Sequence, residues 1–400
     1  MRKKSFYLWS LLVVMLTMTA CSSDPKEDLS AKTGTFELNF TFEGTSVDSR
    51  ASTAIPETSW KSIKQIQFFL YDVNNKVVFS SIVVPGTGDT SSKTYTYTTI
   101  PVGDYTLVAV ANAKNNSDSI TTYISSAEQT WTEGNVFNMD IKDLSIKHKP
   151  GQWSPAITGK PETKAVVDKL KPYSEPSEVF MGYAANVKIN TTAIHKSSVS
   201  LKREVSLMRV RLDQKTHTEA ANVDFANNTA SVLLYCIPDQ MGIGYNDLGG
   251  IGTTSTVANS LSVTGAFSNQ NVNSAYLDGN YSLWKDIIVF PNNGGRVNNA
   301  HTTAVADDSR KYFVVLCGIT KAGHYFSGST TEAPVGVPVF WYGQIKEVFT
   351  PNVIREVNLI LKTGGSPTPP ATVVEYGGLE VVVSEPEDWS SNIVVSTISM

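Results

Sequence analysis

The residues that most often carry out catalysis or bind metals are few in this chain and widely spaced. Its five histidines lie at positions 148, 195, 217, 301 and 324. Zinc sites need several such ligands at short, regular spacing, as in HExxH, and no such spacing occurs. Carboxylates cluster at Asp307–Asp308 and at Glu385, Glu387 and Asp388, but polar turns usually expose such groups to solvent. The sequence therefore predicts neither a metal site nor a general acid–base pair.

The sequence also lacks the motifs that are typical of nucleotide binding and of nucleophilic catalysis. The cluster Gly249–Gly250–Ile251–Gly252 lacks the strand-to-helix context of a dinucleotide site, and we interpret it as a flexible loop. The sequence contains neither a P-loop nor a GxSxG elbow. We predict that the protein is not an enzyme and uses no cofactor.

Covalent lipid attachment is better supported. Residues 1–20 combine a basic start with an apolar stretch from Phe6 to Met18 that is too short to span a bilayer as a helix. Small residues then lead to Cys21, as in a bacterial lipoprotein signal. We predict a signal peptide at 1–20 and lipidation of Cys21, with an ordinary secretory signal as the alternative. The other cysteines, Cys236 and Cys317, either form a disulfide or pack as small apolar side chains.

A strand and a candidate cleavage point follow Cys21. In residues 35–43 every second side chain is apolar, namely Phe36, Leu38, Phe40 and Phe42. This period-two pattern is typical of a half-buried strand. Arg50 then lies in a run of small and polar residues, the kind of loop that proteases cut. We predict that residues 21–50 are a tether plus a removable first strand, with cleavage between Arg50 and Ala51.

Composition excludes one class of partner. The chain has 400 residues, of which 41% are apolar and 18% charged, so it can build two or three domains. Its formal charge is −4, and beyond the leader no long cluster of lysine and arginine occurs. Nucleic acid is therefore not an expected partner.

After Arg50 the sequence predicts short strands joined by tight turns and no long amphipathic helix. Ile66, Phe68 and Leu70 share one face of a strand, and a turn and a returning strand follow. This spacing predicts an all-β chain of antiparallel sandwiches. We predict one sandwich at 51–195 and another at 196–365, with the proline-rich residues 145–178 as a long surface connection.

The last segment, 366–400, begins with a stiff, proline-rich spacer. Beyond it Leu379, Val381 and Val383 alternate in one strand-forming segment, and Ile393 and Val395 alternate in another. Neither segment has a later partner in the sequence. They are either the last strands of the second sandwich or strands that find no partner in their own subunit.

Four features in this order resemble the fimbrillin family, the pilus subunits of Bacteroides-type bacteria: the leader to Cys21, the strand at 35–43 before Arg50, the run 201–205, and the closing segment 379–389. The resemblance implies two tandem transthyretin-like antiparallel β-sandwiches. It also implies export to the outer membrane as a lipidated precursor, which an arginine-directed protease cuts after Arg50. The tail of one subunit would then add a strand to the next, head to tail.

The resemblance implies a major, accessory or tip subunit of a cell-surface fimbrium that mediates adhesion, with other fimbrial subunits as partners. An anchor subunit is a further alternative: it would lack the cleavage and keep its lipid, and Arg50 together with the strand-forming tail counts against it. Its donor strand would contain Leu379, Val381 and Val383, or Ile393 and Val395, and the first set matches the alternation of residues 35–43 better. The alternative function is a surface lipoprotein that binds a glycan or host protein without polymerising. A host or bacterial surface ligand is a partner in either case, for which the candidate aromatic residues are Trp60, Trp131, Trp153, Trp284 and Trp341.

Overall fold

The computed structural model describes residues 32–42, 63–86, 93–113, 120–125, 138–151, 171–213, 222–225, 230–235, 237–238, 240–246, 259–264, 281–293, 296–301, 312–368, 379–383 and 387–388. These residues form β-strands and one short 3₁₀ helix, Ile141–Asp143. The prediction of an all-β chain is confirmed. Over these ranges, no helix has the length and hydropathy needed to cross a membrane.

The first ten strands are β1 (Thr33–Phe42), β2 (Ile66–Tyr71), β3 (Val77–Val83), β4 (Thr94–Pro101), β5 (Gly103–Ala111), β6 (Thr122–Ser125), β7 (Ser145–His148), β8 (Lys171–Tyr173), β9 (Phe180–Ile189) and β10 (His195–Arg203). The others are β11 (Ser206–Asp213), β12 (Val223–Asp224), β13 (Ser231–Tyr235), β14 (Gln240–Gly242), β15 (Asn259–Thr264), β16 (Tyr281–Val289), β17 (Arg296–Val297), β18 (Ala300–His301), β19 (Tyr312–Thr320), β20 (Pro338–Ile345), β21 (Val353–Leu361), β22 (Leu379–Val383) and β23 (Glu387–Asp388).

The N-terminal part of the chain forms a seven-stranded sheet in the order β3-β2-β5-β9-β10-β1-β4. The sheet folds over itself, because Tyr97 on β4 contacts Phe68 on β2 and Phe79 on β3, with ring centroids 5.1 and 5.6 Å apart. The enclosed side chains form the N-terminal core, which includes Phe36, Leu38, Phe40, Phe68, Leu70, Leu107, Val199 and Leu201. β1 lies inside this sheet, between β10 and β4.

The other face of this sheet is also covered. All six residues of β2 are buried. A strand with one face in the core and the other in solvent would bury only every second residue. The covering elements are the sheet β14-β7-β6 and the first residues of β11 and β21. The middle core formed here includes Phe69, Val108, Val110, Ile146, Met241, Leu207 and Ile354. It joins the two halves of the protein.

The C-terminal part is a sandwich of two sheets. One runs β16-β11-β21-β22, with β23 also paired to β21, and the other runs β12-β19-β13-β15-β8, with β20 paired to β19. Between them lies the C-terminal core, which includes Met208, Val210, Val314, Leu316, Trp341, Val357, Leu359 and Leu379. Most strand pairs are antiparallel, but β1–β10, β11–β21 and β8–β15 are parallel.

Two details of the predicted organisation need correction. The predicted boundary at 195/196 falls at the start of β10, which pairs with β9 and β1 in the first sheet; we move it to Glu204–Val205, between β10 and β11. The predicted connection at 145–178 contains β7 and β8. β7 pairs with β14, and β8 pairs with β15, so prolines in this stretch concealed two strands that hold distant parts of the chain together.

Candidate functional site

The apolar face of β1 is buried, as the sequence predicted. Phe36, Leu38 and Phe40 are each 0% exposed and belong to the N-terminal core. Phe36 stacks on His195 with ring centroids 5.9 Å apart. Phe42 ends the strand, but its side chain is outside the described residues. The predicted burial is thus confirmed at three of the four apolar positions.

The backbone of β1 pairs on both sides. It runs parallel to β10 and antiparallel to β4, so that Leu38 lies opposite Ser197 on one strand and Tyr95 on the other. β4 ends the sheet, with β1 as its neighbour. We call the space between His195–Leu201 of β10 and Thr94–Pro101 of β4 the β1 slot. Removing β1 would leave two strand edges unpaired around an apolar groove.

The start of β1 approaches its neighbour closely. A Cβ atom added to Gly34 would lie 2.2 Å from the carbonyl oxygen of Asn190 and 2.7 Å from Cγ2 of Ile189. No larger residue fits there without moving the chain between β9 and β10. A strand in this position therefore needs a glycine beside Ile189 and Asn190.

The outer face of β1 is polar and carries one ion pair. Lys196 Nζ on β10 lies 2.9 Å from Glu37 Oε2, and these side chains are 74% and 22% exposed. Beside Lys196, partial burial lowers the pKa of His195. Sequence reasoning did not single out Lys196, since its partner is distant in the chain.

The tail strand β22 is the edge strand of a C-terminal sheet. It pairs antiparallel with β21, with Val381 opposite Leu359. Leu379 is fully buried, whereas Val381 and Val383 are partly buried against the C-terminal core. Of the two interpretations of this segment, the structure places it as a last strand of its own sandwich.

β22 fits closely against β20. A Cβ atom on Gly343 would lie 2.8 Å from Cγ2 of Val381 and 3.2 Å from the carbonyl oxygen of Leu379. Glu380 Oε2 forms an ion pair with Lys362 Nζ at 2.7 Å, and both side chains are well exposed. Both β1 and β22 thus carry a glutamate on the outer face that pairs with a lysine of a neighbouring segment.

Several predicted site residues lie outside the described residues: Cys21, Arg50, Ala51, Ile393 and Val395. So do Cys236 and the glycine cluster at 249–252. Cys317 is buried in β19, and its Sγ donates to the carbonyl of Gly318 at 3.7 Å. It packs there as a small apolar side chain.

The junction between the two halves contains ion pairs that the sequence pattern did not reveal. Arg296 Nη1 lies 3.1 Å from Glu204 Oε2, and both side chains are almost completely buried. Arg203, the last residue of β10, contacts Glu178 at 2.7 Å and donates to Asn352 at 2.7 Å. The three consecutive charged residues Lys202, Arg203 and Glu204, between apolar Leu201 and Val205, were the available signal. These contacts fix the link that follows β10.

An open cleft of about 370 Å³ is a second candidate site. Its lining residues are Tyr71, Asp72, Val73, Asn75, Thr106, Ile141, Lys142, Gly244, Tyr245 and Asn246. Burial raises the pKa of the Tyr71 phenol to about 12, so this hydroxyl keeps its proton at neutral pH. In the described part of the chain, no group of three metal-binding side chains occurs.

Comparison with known proteins identifies the family of this chain. The family model of fimbrillin-A associated anchor proteins Mfa1 and Mfa2 matches residues 23–300. The chain belongs to this family. It is accordingly a structural, non-enzymatic protein associated with cell-surface fimbriae. The match includes β1 and the whole first sheet, and it ends before β19.

Several solved structures are similar to this Mfa-family protein, at low sequence identity. A protein from Bacteroides eggerthii named for a role in cell adhesion is 13% identical, with a TM-score of 0.48, covering 90% of this chain and 97% of its own. The tip fimbrial protein Mfa3 from Porphyromonas gingivalis, with C-terminal truncation, is 11% identical, with a TM-score of 0.39, covering 90% and 100%. A search of curated protein sequences finds no match.

Proposed function

We propose that this protein is a structural subunit of a cell-surface fimbria that polymerises by strand exchange and mediates adhesion. It is exported as a precursor with a lipid on Cys21, which holds it at the outer membrane. An arginine-directed protease then cuts between Arg50 and Ala51 and releases the segment that contains β1. Two transthyretin-like sandwiches, divided at Glu204–Val205, form the mature subunit.

The observation that supports this proposal is the position of β1. It lies inside a sheet, yet it is the first described strand of the chain, so a cut after it separates it from every other strand. Burying side chains such as Phe36, Leu38 and Phe40 is worth roughly 1.5–3 kcal/mol each. The cleaved subunit would lose about 5–9 kcal/mol on this estimate, which is comparable to the stability of a typical domain. Such a groove requires a replacement strand.

The replacement comes from the tail of another copy or of another fimbrial subunit. Strand addition supplies main-chain hydrogen bonds along the edges of the slot and places alternate side chains in the groove. Because slot and tail lie in different sheets, the contact is head to tail and grows a filament. The donor contains Leu379, Val381 and Val383, or Ile393 and Val395.

Replacing Arg50 by alanine tests the proposal. We expect the Arg50→Ala precursor to keep its lipid and β1 and to form no ladders on a gel, while wild-type protein starts at Ala51 and forms them. Ser49→Ala is the matched control, since it changes the same loop but keeps the arginine. Normal filaments from the Arg50→Ala variant would refute processing at this site.

The open cleft favours a second candidate, a surface lipoprotein that binds a glycan or host protein without polymerising. The ring of Tyr245 offers a stacking surface, and Thr106 and Lys142 offer hydrogen bonds, a combination that suits a sugar. In this case the mature protein begins at a lipidated Cys21 and stays monomeric. Tyr245→Ala would then abolish binding to a glycan array, with Val84→Ala as the control, since Val84 is exposed and does not line the cleft.

A further inference from the structure

We propose that Lys196 sets the register of the incoming tail by pairing with Glu380 of a second copy. This inference rests on the proposed function, because it names the residues that align donor and slot. In the precursor Lys196 pairs with Glu37 at 2.9 Å. Once β1 is gone, the same ammonium group faces the outer side of an empty strand position.

The tail repeats the pattern that β1 presents to Lys196. Phe36, Glu37 and Leu38 place a glutamate between two buried apolar side chains. Leu379, Glu380 and Val381 place one between a buried leucine and a partly buried valine. In β22 the glutamate also lies on the outer face, where it pairs with Lys362 at 2.7 Å. When Leu379 occupies the position of Phe36, a tail strand parallel to β10 therefore places apolar side chains at the positions of Phe36, Leu38 and Phe40, and a glutamate at the position of Glu37.

Other registers lose this pairing. A shift by one residue turns every apolar side chain outward, so the competing registers are shifted by two. A two-residue shift along β10 places Glu380 beside Ser198, the partner of Asn39, and the opposite shift places it before the ladder begins. Between His195 and Leu201 of β10 and between Thr94 and Pro101 of β4, Lys196 is the only lysine, and no arginine or carboxylate occurs.

The charge also distinguishes the two candidate donors. Between and around Ile393 and Val395 the alternate residues are Asn392, Val394 and Ser396, none of which is charged. Only the segment that contains Glu380 can use Lys196. Among the described strands, β22 has one neighbour in its own sheet, β21, whereas the slot offers two, so transfer of β22 gains a second ladder of hydrogen bonds.

Charge reversal and mixing test the pairing. After cleavage at Arg50, Lys196→Glu and Glu380→Lys proteins with complete tails should each assemble about threefold to fivefold more slowly than wild type, as expected for an exposed ion pair. Mixed in equal amounts, they should assemble at nearly the wild-type rate, because each donor then meets a slot of opposite charge. The difference should disappear in about 1 M salt. Gel ladders measured over time report the rates.

Lys362→Ala is the matched control, since it breaks the pair that Glu380 makes within its own subunit. It should assemble at least as fast as wild type. If the mixture assembles no faster than the separate variants, or if the single variants match wild type, the register pairing is wrong while strand exchange stands. If cleaved wild-type protein does not assemble at all, the proposed function fails, and the pairing with it.

Discussion

The strands β1 and β22 have similar patterns but are held very differently. β1 lies between two neighbours, and three of its side chains are fully buried. β22 lies at an edge, and only Leu379 is fully buried, while Val382 is 45% exposed. β1, the strand that we propose is removed, is therefore bound more strongly in its sheet. β22, the strand that we propose as its replacement, is bound more weakly. An uncleaved subunit keeps both strands in place, so proteolysis, not spontaneous release, would start assembly.

The largest effect should come from truncating β1 in the uncleaved protein. We expect Phe40→Ala to lower the free energy of unfolding by about 3–5 kcal/mol, because a fully buried aromatic ring leaves a cavity. Thr41→Ala, on the outer face of the same strand, should change it by less than about 0.5 kcal/mol. Urea titration measures both. Equal effects from the two variants would contradict the alternation of β1.

Deleting the tail should have a smaller effect that depends on where the deletion begins. Loss of residues 379–400 removes β22 and should cost about 2–4 kcal/mol, since the burial of Leu379 and part of two valines is lost. Loss of 389–400 leaves β22 in place. If the protein without 389–400 still assembles, the donor is β22; if it folds but fails to assemble, the donor is the segment with Ile393 and Val395.

This comparison also shows what the sequence could predict. Alternation identified Phe36, Leu38 and Phe40 as one buried face because the period of a strand depends only on local geometry. The neighbours of β1 could not be predicted, because parallel pairing with β10 joins parts of the chain that are far apart. Lys196 and Gly343 were missed for the same reason, since each matters through a contact with a distant strand.

Gly343→Ala should loosen β22 specifically. The added methyl group meets Val381 at 2.8 Å, and overpacking of this kind typically costs about 1–3 kcal/mol. If β22 is the donor, the cleaved variant should assemble faster than wild type although it is less stable. Gly244→Ala is the matched control, since nothing lies within 4 Å of its added Cβ. Slower assembly with lower stability would instead indicate that β22 serves only its own sheet.

The smallest effect should be a pH dependence of β1 binding. Phe36 covers His195, and burial lowers the pKa of this imidazole. Below about pH 6.5, His195 binds a proton more readily in a form without β1 than in the intact form. The intact form therefore loses stability as the pH falls from 7 to 5. Solvent screening limits this loss of stability to a few tenths of a kcal/mol.

Because His148 is also buried, the informative quantity is the difference between the stability curves of wild type and His195→Gln, which should grow toward acid pH. A constant difference would mean that Phe36 does not control the proton on His195, and the same curves recorded without β22 should leave the difference unchanged.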